Sequence, residues 1–259
     1  MSSNVESFVE NNVGYIYLDR QKSRNALTFE MLRSIELTVR EWSVQPEVRC
    51  IVFSGKGKAY CAGDDLIDMG TSKYPVPEDK FVEYLSGYPE ACKAFRECPK
   101  PIICSVHGYA LGAGLELALS CDLLIAEKGC GIGLPFVLRG FSSGTHLLAR
   151  LTNRMFASRL LFTGDIVPVE NLEAFGLVHS LTEADERESK TKNLAEKIAQ
   201  LPTKTIGLMK KAMDASDSLD ERSAWVVQAQ STVTGTLTED YAEGRRAFAE
   251  KRDPVFTGK

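Results

Sequence analysis

Positions 102–124 read I-I-C-S-V-H-G-Y-A-L-G-A-G-L-E-L-A-L-S-C-D-L-L, and this run restricts the fold more than any other part of the chain. The apolar stretch 102–106, entered through Pro101, has the length of a buried strand. Gly108, Gly112 and Gly114 then let the backbone turn sharply and let a ligand approach peptide N–H groups. An Ala/Leu-rich helical segment follows, and a single carboxylate, Glu116, interrupts it. Two readings stay open on periodicity alone. Glu116 either faces solvent on an ordinary strand–turn–helix, or it stands one turn into the helix beside unpaired N–H donors. Donors for a developing negative charge next to one acid or base are the minimal requirement for enolate or acyl chemistry.

At 259 residues, with 44% hydrophobic content, the chain can build one large core with a smaller appendage. The expected division is 1–195 for the core with its pocket and 196–259 for a helical C-terminal region. A net charge of −4 with no Lys/Arg block or interleaved aromatics argues against nucleic acid as a partner. No apolar run reaches about 18 residues, so no membrane span is expected. The opening M-S-S-N-V-E-S-F has no signal or transit pattern and the closing F-T-G-K is no S-K-L address, so a soluble, cytoplasmic protein is expected. Seven cysteines without a C-x-x-C pair and three scattered histidines point to reduced, mostly buried thiols and no metal site.

The chain opens with alternating segments at 7–10 and 15–19 around N-N-V-G, a hairpin signal. Thr28 is the expected N-cap of a helix carrying Leu32, Ile35, Val39 and Trp42, and 48–54 reads as a buried strand. The following G-K-G-K-A-Y-C-A-G-D-D-L repeats the logic of 102–124: strand, glycine turn, x-A-G, short helix. Two such turns could bring two sets of N–H groups to one pocket. Residues 70–79 read as a mobile polar loop, 80–96 as a helix, and 129–144 carry no clear assignment. Helices are expected at 145–151, 154–162, 168–174, 184–200, 203–214, 220–234 and 239–250. Strands and helices interleave to about Val178 and helices alone follow, which gives an α/β class with a helical appendage.

Several pieces resemble the crotonase (enoyl-CoA hydratase/isomerase) superfamily: S-R-N-A-L at 23–27, Y-C-A-G-D-D-L at 60–66, V-H-G-Y-A-L-G-A-G-L-E-L at 106–117, C-D at 121–122, L-F-T-G at 161–164, F-G-L-V at 175–178 and E-G-R-R-A-F-A-E-K-R at 243–252. Each is weak alone, but their order and spacing cover nearly the whole chain. The resemblance implies a crotonase-like spiral of ββα units with a C-terminal trimerisation region, hence a homotrimer or a dimer of trimers. It implies an acyl-CoA substrate, with coenzyme A arriving as part of that substrate and no separate cofactor. The family's oxyanion hole is two peptide N–H groups, which fall here on Asp64 and on Ala113, where the family usually has Gly. Both would act through backbone, leaving their side chains nearly free to vary. Arg24, Ala26, Ala62, Asp65 and Leu66 match positions that hold the adenine and pantetheine arm, and Phe248 and Lys251 match positions that reach coenzyme A from the last helix.

Glu116 falls on the first of two acidic positions used by the family's hydratases. The second follows Pro in a P-E pair, and here the pair is Pro135-Phe136. Hydration usually uses two carboxylates, whereas one can move a proton between carbons, so Phe136 in the substrate pocket shifts the expectation to double-bond isomerisation by Glu116. Many single-acid isomerases of the family nevertheless keep the second acid rather than the first. Hydration and decarboxylation remain alternatives, as does an acyl-CoA binder without catalysis. Asp68, Arg139, Ser142, Ser143 and His146 border the pocket in the family and are the candidates to replace the missing acid. His107 is expected to hydrogen-bond its turn. A different class is raised by G-F-S-S-G at 140–144, a G-x-S-x-G match with Asp165 and His179 downstream, which would make a Ser142–Asp165–His179 hydrolase.

Overall fold

The computed structural model describes residues 4–67 and 78–259. Strands β1 (Val5–Glu10) and β2 (Val13–Leu18) form the opening hairpin, with Asn11 and Asn12 both at positive φ in its turn. Asn tolerates that region better than most residues, which is why N-N marks the reversal. Helix α1 (Phe29–Val44) starts at Thr28, whose hydroxyl accepts from the Met31 N–H. Its apolar stripe of Leu32, Ile35, Val39 and Trp42 is buried, worth roughly 1.5–3 kcal/mol per large side chain.

Strand β3 (Cys50–Gly55) lies parallel to β2, and β4 (Ile102–Val106) lies parallel to β3. With β6 (Leu123–Glu127) and β9 (Ser180–Thr182) they complete a sheet of order β1-β2-β3-β4-β6-β9, parallel except at the hairpin. Every residue of β3 and β4 is buried, as expected of strands covered on both faces. Between β3 and β4 the expected single helix is two, α2 (Lys80–Leu85) and α3 (Tyr88–Glu97). Pro89 has no N–H to continue the first helix but suits the first turn of the second. Of the loop expected at 70–79, residues 70–77 lie outside the described residues, as does Asp68 in the short helix expected after C-A-G-D-D-L.

A second sheet, β5 (Tyr109–Leu111), β7 (Gly131–Gly133) and β8 (Val167–Pro168), sits beside helix α4 (Ala113–Leu119). The strand at 131–133 lies in the segment that periodicity left unassigned. Its glycines carry no apolar signal, and Gly133 has Asp165 O only 2.7 Å from where a Cβ would stand. The expected helix at 168–174 is a 3-10 helix, Val169–Phe175. Helix α5 (Leu147–Leu151) packs against α4 and against α6 (Arg154–Thr163), which also packs on the 3-10 helix Pro135–Arg139, and α7 (Arg187–Ala199) crosses position 195 to pack Ala195 and Ala199 against the back of the main sheet. The C-terminal helices α8 (Thr203–Ser218), α9 (Glu221–Thr236) and α10 (Glu239–Glu250) follow.

Candidate active site

The two glycine turns meet. Cys61 donates to Tyr109 O at 2.9 Å and accepts from the Leu111 N–H at 3.0 Å, so the C-A-G segment is zipped to β5. Gly63, at φ +94°, brings its backbone so close to this strand that a Cβ would stand 2.9 Å from Leu111 O and 3.5 Å from Gly112 Cα. Only glycine fits that contact and that φ together. On the other side, Leu27 donates to Gly63 O and accepts from the Asp65 N–H, both at 2.8 Å. A strand-like residue flanked in this way points its own N–H away from the partner, so the Asp64 N–H is turned from Leu27. Among the described residues neither it nor the Ala113 N–H has a backbone acceptor. Gly112 N–H, by contrast, is spent on Gly133 O at 2.9 Å.

Glu116 stands one turn into α4 and is 3% exposed. Its Oε1 is buried and has no hydrogen-bond partner among the described residues, and burial pushes the carboxyl up to about 7. It does not face open solvent. It lines a cavity of about 440 Å³ together with Tyr84, Tyr88, Cys92, His146 and Arg150. Asp64 lines an adjoining cavity of about 420 Å³ with Phe29, Leu66, Tyr84, Tyr88 and Phe141. Tyr84 and Tyr88 are common to both cavities.

These tyrosines were not legible as site residues. They flank Gly87, where the helix breaks, and their four-residue spacing reads as an ordinary helix face. In the fold the Tyr88 hydroxyl lies 2.7 Å from Ser143 Oγ and 3.1 Å from the Tyr84 hydroxyl. Burial, then the neighbouring Tyr84 and Glu116, push the Tyr88 phenol well above its usual range, against the bond to Ser143. Of the candidates to replace the second acid, Ser143 is therefore drawn into the hydroxyl chain and His146 lines the Glu116 cavity. Arg139 turns to Leu138 O and Ser142 is exposed.

Phe136, the residue after Pro135, is 9% exposed in the 3-10 helix Pro135–Arg139. Its ring lies 3.5 Å from the Cβ that Gly112 lacks, 2.8 Å from the one Gly144 lacks, and packs edge-on to Phe141 at 5.8 Å. Of this pair Phe141 lines the Asp64 cavity, and Phe136 packs against it. Asp65 is buried, pairs with Arg20 and accepts from the Ile67 N–H at 3.1 Å, bracing the loop that carries Asp64. Arg24 is exposed at φ +50°, its carbonyl accepting from Ala62 at 3.0 Å; Ala26 is half-buried and Leu66 is exposed at the mouth of the Asp64 cavity. Phe248 and Lys251 lie elsewhere. Phe248 is 87% exposed on a cavity formed by α8, α9 and α10, and Lys251 ends α10 in the left-handed region. A single chain does not bring them to Glu116.

His107 does hydrogen-bond its turn, through Nε2 to Gly57 O at 2.9 Å, and burial lowers its pKa. The serine-hydrolase arrangement is not formed. Among the described residues no hydrogen bond joins Ser142, Asp165 and His179, all three are exposed, and Asp165 faces Arg159 at 3.7 Å. The G-x-S-x-G match is a loop beside the pocket, not the strand-to-helix elbow the motif requires.

A six-stranded sheet, a small second sheet, and two interlocked glycine turns beside one buried carboxyl form the crotonase fold. A sequence profile described as enoyl-CoA hydratase/isomerase matches residues 9–259. The chain is 30% identical over 257 residues to (E)-benzylidenesuccinyl-CoA hydratase of Thauera aromatica, covering 96% of this chain and 97% of that one. It is 28% identical over 256 residues to 1,2-epoxyphenylacetyl-CoA isomerase of Escherichia coli, covering 98% of each. The crystal structure of an enoyl-CoA hydratase from Bacillus anthracis superposes with a TM-score of 0.90 at 27% identity, over 99% of this chain and 100% of that one. The protein belongs to the enoyl-CoA hydratase/isomerase family and is an acyl-CoA enzyme of the crotonase superfamily.

Proposed function

We propose that this enzyme moves the double bond of an enoyl-CoA thioester, with the N–H groups of Asp64 and Ala113 holding the thioester oxygen as it becomes an enolate and Glu116 carrying the proton. The observation that supports this most is the state of Glu116, a buried carboxyl with a pKa of about 7 and an oxygen without a partner among the described residues, on the helix that begins at Ala113. A carboxyl poised near neutrality can both take and return a proton. Two amide donors that strengthen as charge develops can supply several kcal/mol of transition-state stabilisation.

Phe136 separates isomerisation from hydration. An attacking water against its ring would lose the hydrogen-bond acceptor that a second carboxylate provides, while proton movement between carbons needs no water. Hydration is the second reading, favoured by the polar lining of the Glu116 cavity, where His146, Arg150 and Asp217 could hold water. Incubation with trans-2-, cis-3- and trans-3-enoyl-CoAs in deuterated water separates the two. Interconversion of the enoyl isomers, with solvent deuterium at C2 or C4 and no added water, is expected. A 3-hydroxyacyl product would establish hydration instead. Coenzyme A enters as part of the substrate, and Arg24, Ala26, Ala62 and Leu66 are proposed to line its path.

A further inference from the structure

An amide donor needs no side chain, yet at position 64 this chain places a carboxyl. Asp64 is one of the residues that line the cavity of about 420 Å³, with Phe29, Lys80, Glu83, Tyr84, Tyr88 and Phe141 among the others, and burial raises its carboxyl. Its hydrogen-bonding neighbour is its own N–H, the donor assigned to the thioester oxygen. The Glu116 cavity adjoins through Tyr84 and Tyr88, and the buried Cys92 thiol between them is influenced by both carboxyls. Two carboxyl residues thus border adjoining cavities, Glu116 the one and Asp64 the other.

We propose that the Asp64 side chain is the second proton-transfer group of this site, serving where Phe136 excludes the usual carboxylate. The assignment rests on the enolate reading above and deepens it. With the thioester oxygen on the Asp64 N–H, C2 of the acyl chain lies next to the carboxyl of the same residue. For a 3-enoyl substrate, the Asp64 carboxylate takes a proton from C2 and the electron pair moves onto the thioester oxygen. The Glu116 carboxylic acid gives its proton to C4, and the electrons return to form the C2=C3 double bond. Asp64 ends protonated and Glu116 ionised, and exchange of one proton with solvent resets the pair without oxidant or reductant.

The surroundings permit this division. Facing Asp64 are Lys80 and Glu83 of α2, paired with each other at 2.5 Å, the hydroxyls of Tyr84 and Tyr88, and the Cys61 and Cys92 thiols, which burial raises. Glu116 faces it from α4. Burial pushes Asp64 up to about 6, its own N–H opposing, and Glu116 up to about 7. Burial thus brings both carboxyls toward neutrality, where each can hold or release a proton.

The test follows a label. With 2,2-dideuterated cis-3-enoyl-CoA in ordinary water, a single carboxyl shuttling the proton leaves deuterium at C4 of the product, whereas two separate groups leave protium there. The parent is expected to give protium at C4. Asp64→Asn keeps the N–H and the shape; its turnover is expected to fall about 100-fold, to lose the acid limb of the pH profile near 6, and to retain deuterium at C4 in the residual product. Deuterium at C4 with the parent, or Asp64→Asn at the parent's rate while Glu116→Gln is inactive, overturns the Asp64 assignment alone. Glu116→Gln at the parent's rate, or a parent inert toward every enoyl-CoA, overturns the enolate reading and this one with it.

Discussion

Burial holds Glu116 at a pKa of about 7 against an ordinary 4.5, so between those values the native state keeps a proton that the unfolded chain has released. Stability therefore falls as pH rises through that window, and above pH 7 the full cost is present, about 3 kcal/mol. Glu116→Gln removes it. The variant is expected to be more stable than the parent by up to about 3 kcal/mol at pH 8 and barely different at pH 5, as denaturant titrations at the two pH values would show. A gain in stability from deleting a carboxyl marks a residue kept for something other than folding. Position 116 was legible because a charge interrupts an apolar helix. The resemblance named the Asp64 amide but not its carboxyl, because nothing in D-D-L distinguishes Asp65, which braces the loop on Arg20, from Asp64, which lines a cavity.

At the scale of elements, the site depends on how tightly the C-A-G turn is pressed against β5. Gly63→Ala places a Cβ 2.9 Å from Leu111 O at a φ of +94°. The backbone must rotate, and the Asp64 N–H leaves its position. Turnover is expected to fall by roughly 100-fold or more, on the scale of losing one oxyanion donor, with a far-UV spectrum like the parent's. Steady-state kinetics and circular dichroism on the same sample check both halves. Phe136→Ala removes a ring packed between Gly112, Gly144 and Phe141 and is expected to cost about 3–5 kcal/mol in a denaturant titration.

The hairpin, α1, β3 and β4 were legible from alternation, a Thr cap and continuous apolar runs. The break of 80–96 at Gly87–Pro89 and the small sheet were not. One depends on a proline that suits a helix start as well as a stop, and the other on glycine strands whose pairing across 22 residues, Tyr109 to Gly131, leaves no local pattern.

For the whole molecule, the C-terminal helices are tied to the core by a buried lysine. Lys210 Nζ donates to Asp122 at 2.8 Å, to Phe95 O at 3.2 Å and to Lys100 O at 3.3 Å, and Asp122 in turn accepts from the Ile102 N–H at the start of β4. Lys210→Ala strands a half-buried carboxylate and two carbonyls. It is expected to cost about 3–5 kcal/mol, measurable as a lowered midpoint in urea. The same helices expose Met209, Met213, Trp225, Val226, Val233, Leu237 and Phe248, more apolar surface than a lone chain usually leaves in water. Self-association through this face is expected, with a mass by light scattering that is a multiple of 28.6 kDa; Val233→Glu with Trp225→Glu should return the monomer. Such an assembly would also give Phe248 and Lys251 a pocket to reach, which one chain does not offer them.

The most direct measurement is turnover of cis-3-enoyl-CoA by Glu116→Gln at pH 6.5, where the parent has its carboxyl poised. A loss of about 100-fold or more in kcat, with KM changed only a few-fold and the variant more stable than the parent at pH 8, is the expected result. Turnover equal to the parent's would contradict the assignment of Glu116 as the group that moves the proton.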